Sequence, residues 1–137
     1  MKKNNLKRTR TCVYNINYHF VWSVKYRRKV LSEEVEAYMR ELIYQIAEDK
    51  GFTVDEFEAG DMDHVHLFVT APPKLSPSLL VQYLKGITGR KIMERYPDLK
   101  KQLWNGELWN HLYFVETVGD VSAETVRRYI ENQSKHY

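Results

Sequence analysis

The sequence predicts an α+β domain of ferredoxin-like (RRM-like) plan: an antiparallel sheet, two helices on one of its faces, and an added C-terminal helix. Three observations carry this expectation. Residues 12–24 alternate between apolar and polar with a period of two, the mark of a strand with one face on a core. The segments along the chain read in the order β-α-β-β-α-β-α, and the first six are the split β-α-β arrangement. The chain has 137 residues with 43% hydrophobic and 13% aromatic content, which suits a single domain over residues 1–137.

Residues 1–11, "MKKNNLKRTRT", read as a basic N-terminal tail. In the strand that follows, Cys12, Tyr14, Ile16, Tyr18, Phe20, Trp22 and Val24 share the apolar face, while Asn15, Asn17 and His19 lie on the other. Ser32 then caps a helix whose first turn holds Glu33 and Glu34. Its apolar stripe is Val35, Tyr38, Met39, Leu42, Ile43 and Ile46, and Gly51 is its expected C-cap. Strands are expected at residues 52–59 and 64–70, joined by the turn "GDMD". Ser76 and Pro77 open a second helix, expected to bend or break at Gly86 and Gly89 and to end before Pro97. Residues 109–118 read as the fourth strand, and Ser122 opens the last helix, residues 122–137.

Composition narrows the function. One cysteine, Cys12, rules out an intrachain disulfide and a cysteine-built zinc site. No apolar stretch approaches the ~20 residues of a membrane span, and no apolar segment follows the basic N-terminus as in a signal peptide. A cytoplasmic protein without membrane contact or nucleotide cofactor is expected. The net charge is only +3, yet residues 1–32 hold nine Lys or Arg and no acid. The remaining 105 residues hold 12 basic and 18 acidic groups. That asymmetry points to a polyanion contact near the N-terminal part, with Lys25, Arg27, Arg28 and Lys29 in "KYRRK" as candidates.

The chemistry lies in "DMDHVHLFVTAPP", residues 61–73. In a strand, Val65, Leu67 and Val69 make an ordinary core face, so His64 and His66 point away from the core. Two imidazoles at this spacing can bind one divalent cation, but a third donor must join them. Asp61 and Asp63 stand in the preceding turn. In the last helix, Tyr129 and Gln133 are four apart and share a face, so that Gln133 can complete a site beside which Tyr129 stands. A phenol is a weak nucleophile at its free pKa of ~10, and a cation on a phosphodiester oxygen offsets the charge that builds during attack. A phosphotyrosine conserves the energy of the broken bond, so the step can be reversed onto another strand end. The same residues also have plain structural readings. Tyr129 shares a packing stripe with Val126 and Ile130, and Arg127 and Arg128 suit a solvated helix face as well as a scissile phosphate.

Taken together, "NYHFVWSVKYRRKVL", "DHVHLFV", "YLKGITGRKI", "LWNHLYFVETVG" and "VRRYIENQ" resemble the single-tyrosine HUH transposases of the IS200/IS605 type, from about Tyr14 to Gln133. The resemblance implies that His64, His66 and Gln133 are metal ligands and that Tyr129 forms a 5′-phosphotyrosine and releases a 3′-hydroxyl. It implies Mg²⁺ or Mn²⁺ as the metal, and single-stranded DNA with hairpins near element ends as the substrate. It further implies a homodimer in which the last helix of one subunit can serve the histidines of the other. Two other readings share parts of this sequence: a repeat-associated HUH nuclease that no longer moves an element, and a non-catalytic RRM-like binder of single strands. The binder has no use for the histidine pair together with a helical Tyr-x-x-x-Gln.

Overall fold

The structure, a computed structural model, describes residues 6–103 and 106–119. Strand β1 (Lys7–Arg8) pairs antiparallel with β2 (Val13–Tyr14) in a small ribbon. Strand β3 (Asn17–Ser23) leads into a 3₁₀ turn at Lys25–Arg27 and then helix α1 (Glu33–Lys50). Next come β4 (Thr53–Gly60), β5 (His64–Thr70), helix α2 (Pro77–Arg95), a 3₁₀ turn at Pro97–Lys101, and β6 (Phe114–Val118). The main sheet has four strands in the order β4-β5-β3-β6, with every neighbouring pair antiparallel. This is the ferredoxin-like order expected from the sequence. The C-terminal helix expected at 122–137 lies outside the described residues.

The helices begin and end for local reasons. The Ser32 hydroxyl accepts from the Val35 amide at 3.3 Å, and three glutamates fill the first turn of α1. Gly51 ends it in the left-handed region at φ 88°, which costs a glycine little. The Ser76 hydroxyl accepts from the Leu79 amide, with Pro77 behind it. Both helices lie on one face of the sheet. Their buried Val35, Met39, Ile43, Leu80, Leu84 and Ile92 join Phe20, Trp22, Val65, Leu67 and Val69 in one core.

Four expectations need correction. The strand expected at 12–24 is two pieces: the β3–β5 ladder ends at Asn17 opposite Thr70, and beyond it the Ala71 amide bonds the Ile16 carbonyl at 3.0 Å. Val13 and Tyr14 pair instead with Lys7 and Arg8, so part of the expected tail is strand. The break considered at Gly86 and Gly89 is absent: α2 runs unbroken. Gly89 serves packing: a Cβ there would lie 3.2 Å from the Trp109 indole, which donates to the Thr88 hydroxyl at 3.0 Å. The fourth strand starts at Phe114 rather than 109, with Trp109 only bridging to Val24. Between that bridge and β6, Lys85 Nζ donates to the carbonyls of Asn110, His111 and Leu112 at 2.6, 3.3 and 3.4 Å, while the Asn110 amide still bonds the Ser23 carbonyl. On the sheet face opposite the helices, His19, His64 and His66 are all buried.

Candidate active site

His64 and His66 stand on β5, opposite to the core-facing Val65 and Leu67. Their rings lie 5.0 Å apart, inclined at 73°. The turn before them holds two consecutive non-glycine residues with positive φ, Asp61 at 51° and Met62 at 63°. Such strain persists only where surroundings enforce it. Here the Leu31 amide donates to the Met62 carbonyl and the Val24 amide to the Asp63 carbonyl. Gly60 faces His64 across the β4–β5 ladder. A Cβ on residue 60 would fall 2.5 Å from His64 Nε2, so glycine keeps room at that nitrogen.

Hydrogen bonds set the tautomer of each ring. His64 Nδ1–H donates to Asp63 Oδ1 at 2.7 Å. In the neutral ring the proton is therefore on Nδ1 and the lone pair on Nε2. Burial alone would raise the Asp63 carboxyl. Hydrogen bonds from His64, Arg27 and Lys29 outweigh that and hold it below the usual carboxylate range. On the other side, His19 Nδ1 lies 3.0 Å from Glu116 Oε2, and His19 Nε2 lies 3.4 Å from His66 Nδ1. Burial, with the adjoining His64 and His19, pushes the His66 pKa down to about 3, so it is a neutral ligand-type imidazole at ordinary pH. Burial also lowers His19, against the opposing pull of Glu116.

The basic loop is more committed than its sequence suggests. Lys25 pairs with Glu107 at 2.8 Å, and Arg27 and Lys29 each reach Asp63 at 3.3 Å. Arg28 is exposed and forms no ion pair among the described residues. Asp63, one of the two turn carboxylates considered as a third ligand, is instead the partner of His64. A cavity of about 370 Å³ opens beside His64, bordered by Arg27, Asn110, Tyr113 and Phe114. A larger cleft of about 660 Å³, between α2 and residues 106–111, holds neither His64 nor His66.

Tyr129, Gln133, Arg127 and Arg128 lie outside the described residues. Among the described residues no group of three or more His, Cys, Asp or Glu is arranged to hold a metal, so the histidine pair needs a further donor. What is present fits a divalent cation. The two imidazoles share one face of β5, the Nδ1 bond to Asp63 puts His64's lone pair on Nε2, and the missing Cβ of Gly60 leaves space there. Sequence reasoning placed His19 on this face without a role, and it missed Gly60 and Glu116. The cross-strand pairing of Glu116 with His19 and of Gly60 with His64 is the signal that finds them, and it needs the sheet register.

A buried histidine pair thus stands on a central strand of this sheet, beside a basic loop. The description "Transposase IS200 like" fits residues 12–133 of this chain. It is 38% identical over 128 residues to ISDra2 transposase TnpA of Deinococcus radiodurans, covering 93% of this chain and 91% of that protein. It is 34% identical over 120 residues to the transposase for insertion sequence element IS200 of Salmonella typhimurium, covering 88% of this chain and 78% of that one. Its fold matches a crystal structure described as a transposase from Deinococcus radiodurans, with TM-score 0.75, 36% identity, and coverage of 93% and 97% of the two chains. A REP-associated tyrosine transposase bound to a REP hairpin shares the fold at TM-score 0.60 and 16% identity, over 95% of this chain and 73% of that one. The chain belongs to the IS200-like transposase family, as the motifs in its sequence led us to expect.

Proposed function

We propose that this transposase cleaves and rejoins single-stranded DNA at the ends of an insertion element through a covalent 5′-phosphotyrosine at Tyr129. His64, His66 and Gln133 would hold a divalent cation, Mn²⁺ or Mg²⁺. Two imidazoles make a nitrogen-rich site for the oxygen-seeking Mg²⁺, and Mn²⁺ accepts it more readily. When bound, the cation supplies Lewis-acid stabilisation of the phosphodiester oxygens. The Tyr129 hydroxyl attacks phosphorus and loses its proton, a new O–P bond forms, and the bond from phosphorus to the 3′-oxygen breaks. The freed 3′-oxygen takes up a proton. Attack by another 3′-hydroxyl reverses the step without ATP. Arg28 binds the strand's phosphates, as do Arg127 and Arg128. Lys25, Arg27 and Lys29 chiefly hold the loop and Asp63, and their remaining charge adds to the field at the DNA. Two covalent strand ends per excision call for two such tyrosines, hence a homodimer, and recognition of hairpins near the element ends is part of the reading.

The observation that carries the reading is the pre-set histidine pair, in a chain whose family match runs through Tyr129 to residue 133. The test is mass spectrometry after incubation with Mn²⁺ and a single-stranded element end. A phosphonucleotide on Tyr129 is expected, lost with EDTA and in Tyr129→Phe. An undiminished adduct in Tyr129→Phe would remove Tyr129 as the nucleophile.

A further inference from the structure

We propose that His19 and Glu116 are positioning residues for His66, fixing its tautomer so that Nε2 carries the lone pair offered to the metal. Proton counting gives the tautomers with His19 neutral, the form that its burial favours against the pull of Glu116. The Glu116 carboxylate has acceptors alone, so the 3.0 Å contact requires the proton of His19 to sit on Nδ1. A neutral His19 then has its lone pair on Nε2. That nitrogen can only accept, so at 3.4 Å His66 Nδ1–H is the donor. His66 is thereby left with its lone pair on Nε2, the same tautomer that Asp63 imposes on His64 by a direct bond.

The ring geometry agrees. His19 and His66 are nearly parallel, at 11°, with centres 5.6 Å apart. With nitrogens at 3.4 Å, that is an edge-to-edge N–H···N arrangement rather than a face stack. The His19 ring is held in place by Phe68, stacked at 4.4 Å and 9°, and by Phe114, edge-on at 5.9 Å and 71°. Each member sits on a different strand: Glu116 on β6, directly opposite His19 on β3, with His66 on β5. Outer partners of this kind typically change metal affinity ten- to a hundredfold when removed.

The inference rests on the metal reading of His64 and His66, and its test separates the two. His19→Phe keeps a ring against Phe68 and removes both nitrogens. Glu116→Gln keeps an acceptor for His19 without the charge. Nitrogen-15 NMR of the metal-free chain reads the His66 tautomer, and Mn²⁺ titration by calorimetry reads affinity. The expected result is Nδ1–H at His66 in the wild type, a mixture or the reverse in His19→Phe, and Mn²⁺ binding weakened about ten- to a hundredfold in that variant. Glu116→Gln should keep the tautomer and lose less affinity. Nε2–H at His66 in the wild type would overturn the inference, as would equal Mn²⁺ affinity in wild type and His19→Phe. If the wild type shows Nδ1–H yet binds Mn²⁺ no better than His66→Ala, the metal reading fails and the positioning role falls with it, while the hydrogen-bond chain stands.

Discussion

At Gly60 and Asp55, single atoms decide what a substitution does. Gly60→Ala puts a methyl group within 2.5 Å of His64 Nε2, so the ring must tilt from its bond with Asp63. Mn²⁺ affinity and cleavage should both fall at least tenfold, with little change in the far-ultraviolet circular dichroism; unchanged affinity would show that residue 60 does not guard that nitrogen. Asp55 lies far from this chemistry, at the bulge between Val54 and Glu56 in β4. Burial raises its carboxyl pKa, opposed by a hydrogen bond with Thr70. Because the native state then holds this proton more tightly than the unfolded chain, its contribution to stability falls as pH rises from the ordinary carboxylate range, ~3.9, towards the raised native value. Asp55→Asn removes that loss. Urea unfolding of the two proteins should show the variant gaining on the wild type as pH climbs through this window, and a constant gap between them would refute the assignment.

Among the elements, the loop from Lys25 to Lys29 divides two jobs that its run of positive charge does not distinguish. Arg27 and Lys29 converge on Asp63, whereas Arg28 points its charge to solvent. Arg28→Ala should therefore weaken single-stranded DNA binding and lower its salt slope by ~0.7, leaving Mn²⁺ affinity unchanged. Arg27→Ala should weaken both, since Asp63 loses a partner that holds it ionised against His64. Fluorescence anisotropy with calorimetry separates the two outcomes, and equal metal loss in both variants would contradict this division. Which cation meets which acid was not legible in "KYRRK", because Tyr26 at φ 60° and Arg27 at φ 52° turn the loop back on itself by a conformation that their identities do not favour. Elements with strong local signals behaved otherwise. Ser32, Ser76 and Gly51 mark the helix boundaries that the structure shows, because caps are decided by a few adjacent atoms.

For the whole molecule, charge asymmetry predicts steep electrostatics. Affinity for single-stranded DNA should fall as a power of salt concentration, by ~0.7 in the logarithmic slope for each phosphate engaged, while unfolding midpoints change little. A flat salt response would exclude a phosphate-led contact. The ferredoxin-like plan was readable because hydrophobic periodicity is a property of each segment, and the histidine pair because both members lie on one strand. The Glu116–His19–His66 chain was not, because it joins three strands far apart in sequence, and its members meet only once the register is fixed. Among the described residues no helix is long and apolar enough to cross a membrane.

The pair of imidazoles belongs to the second of four strands, with a neighbour hydrogen-bonded along each of its edges. Such a strand shifts only if the sheet itself comes apart. The histidines are thus the stationary jaw of the tool. In the proposed cycle of cutting one DNA end and sealing another, whatever must travel has to be carried by the nucleic acid or by protein beyond the sheet, arriving at a fixed anvil.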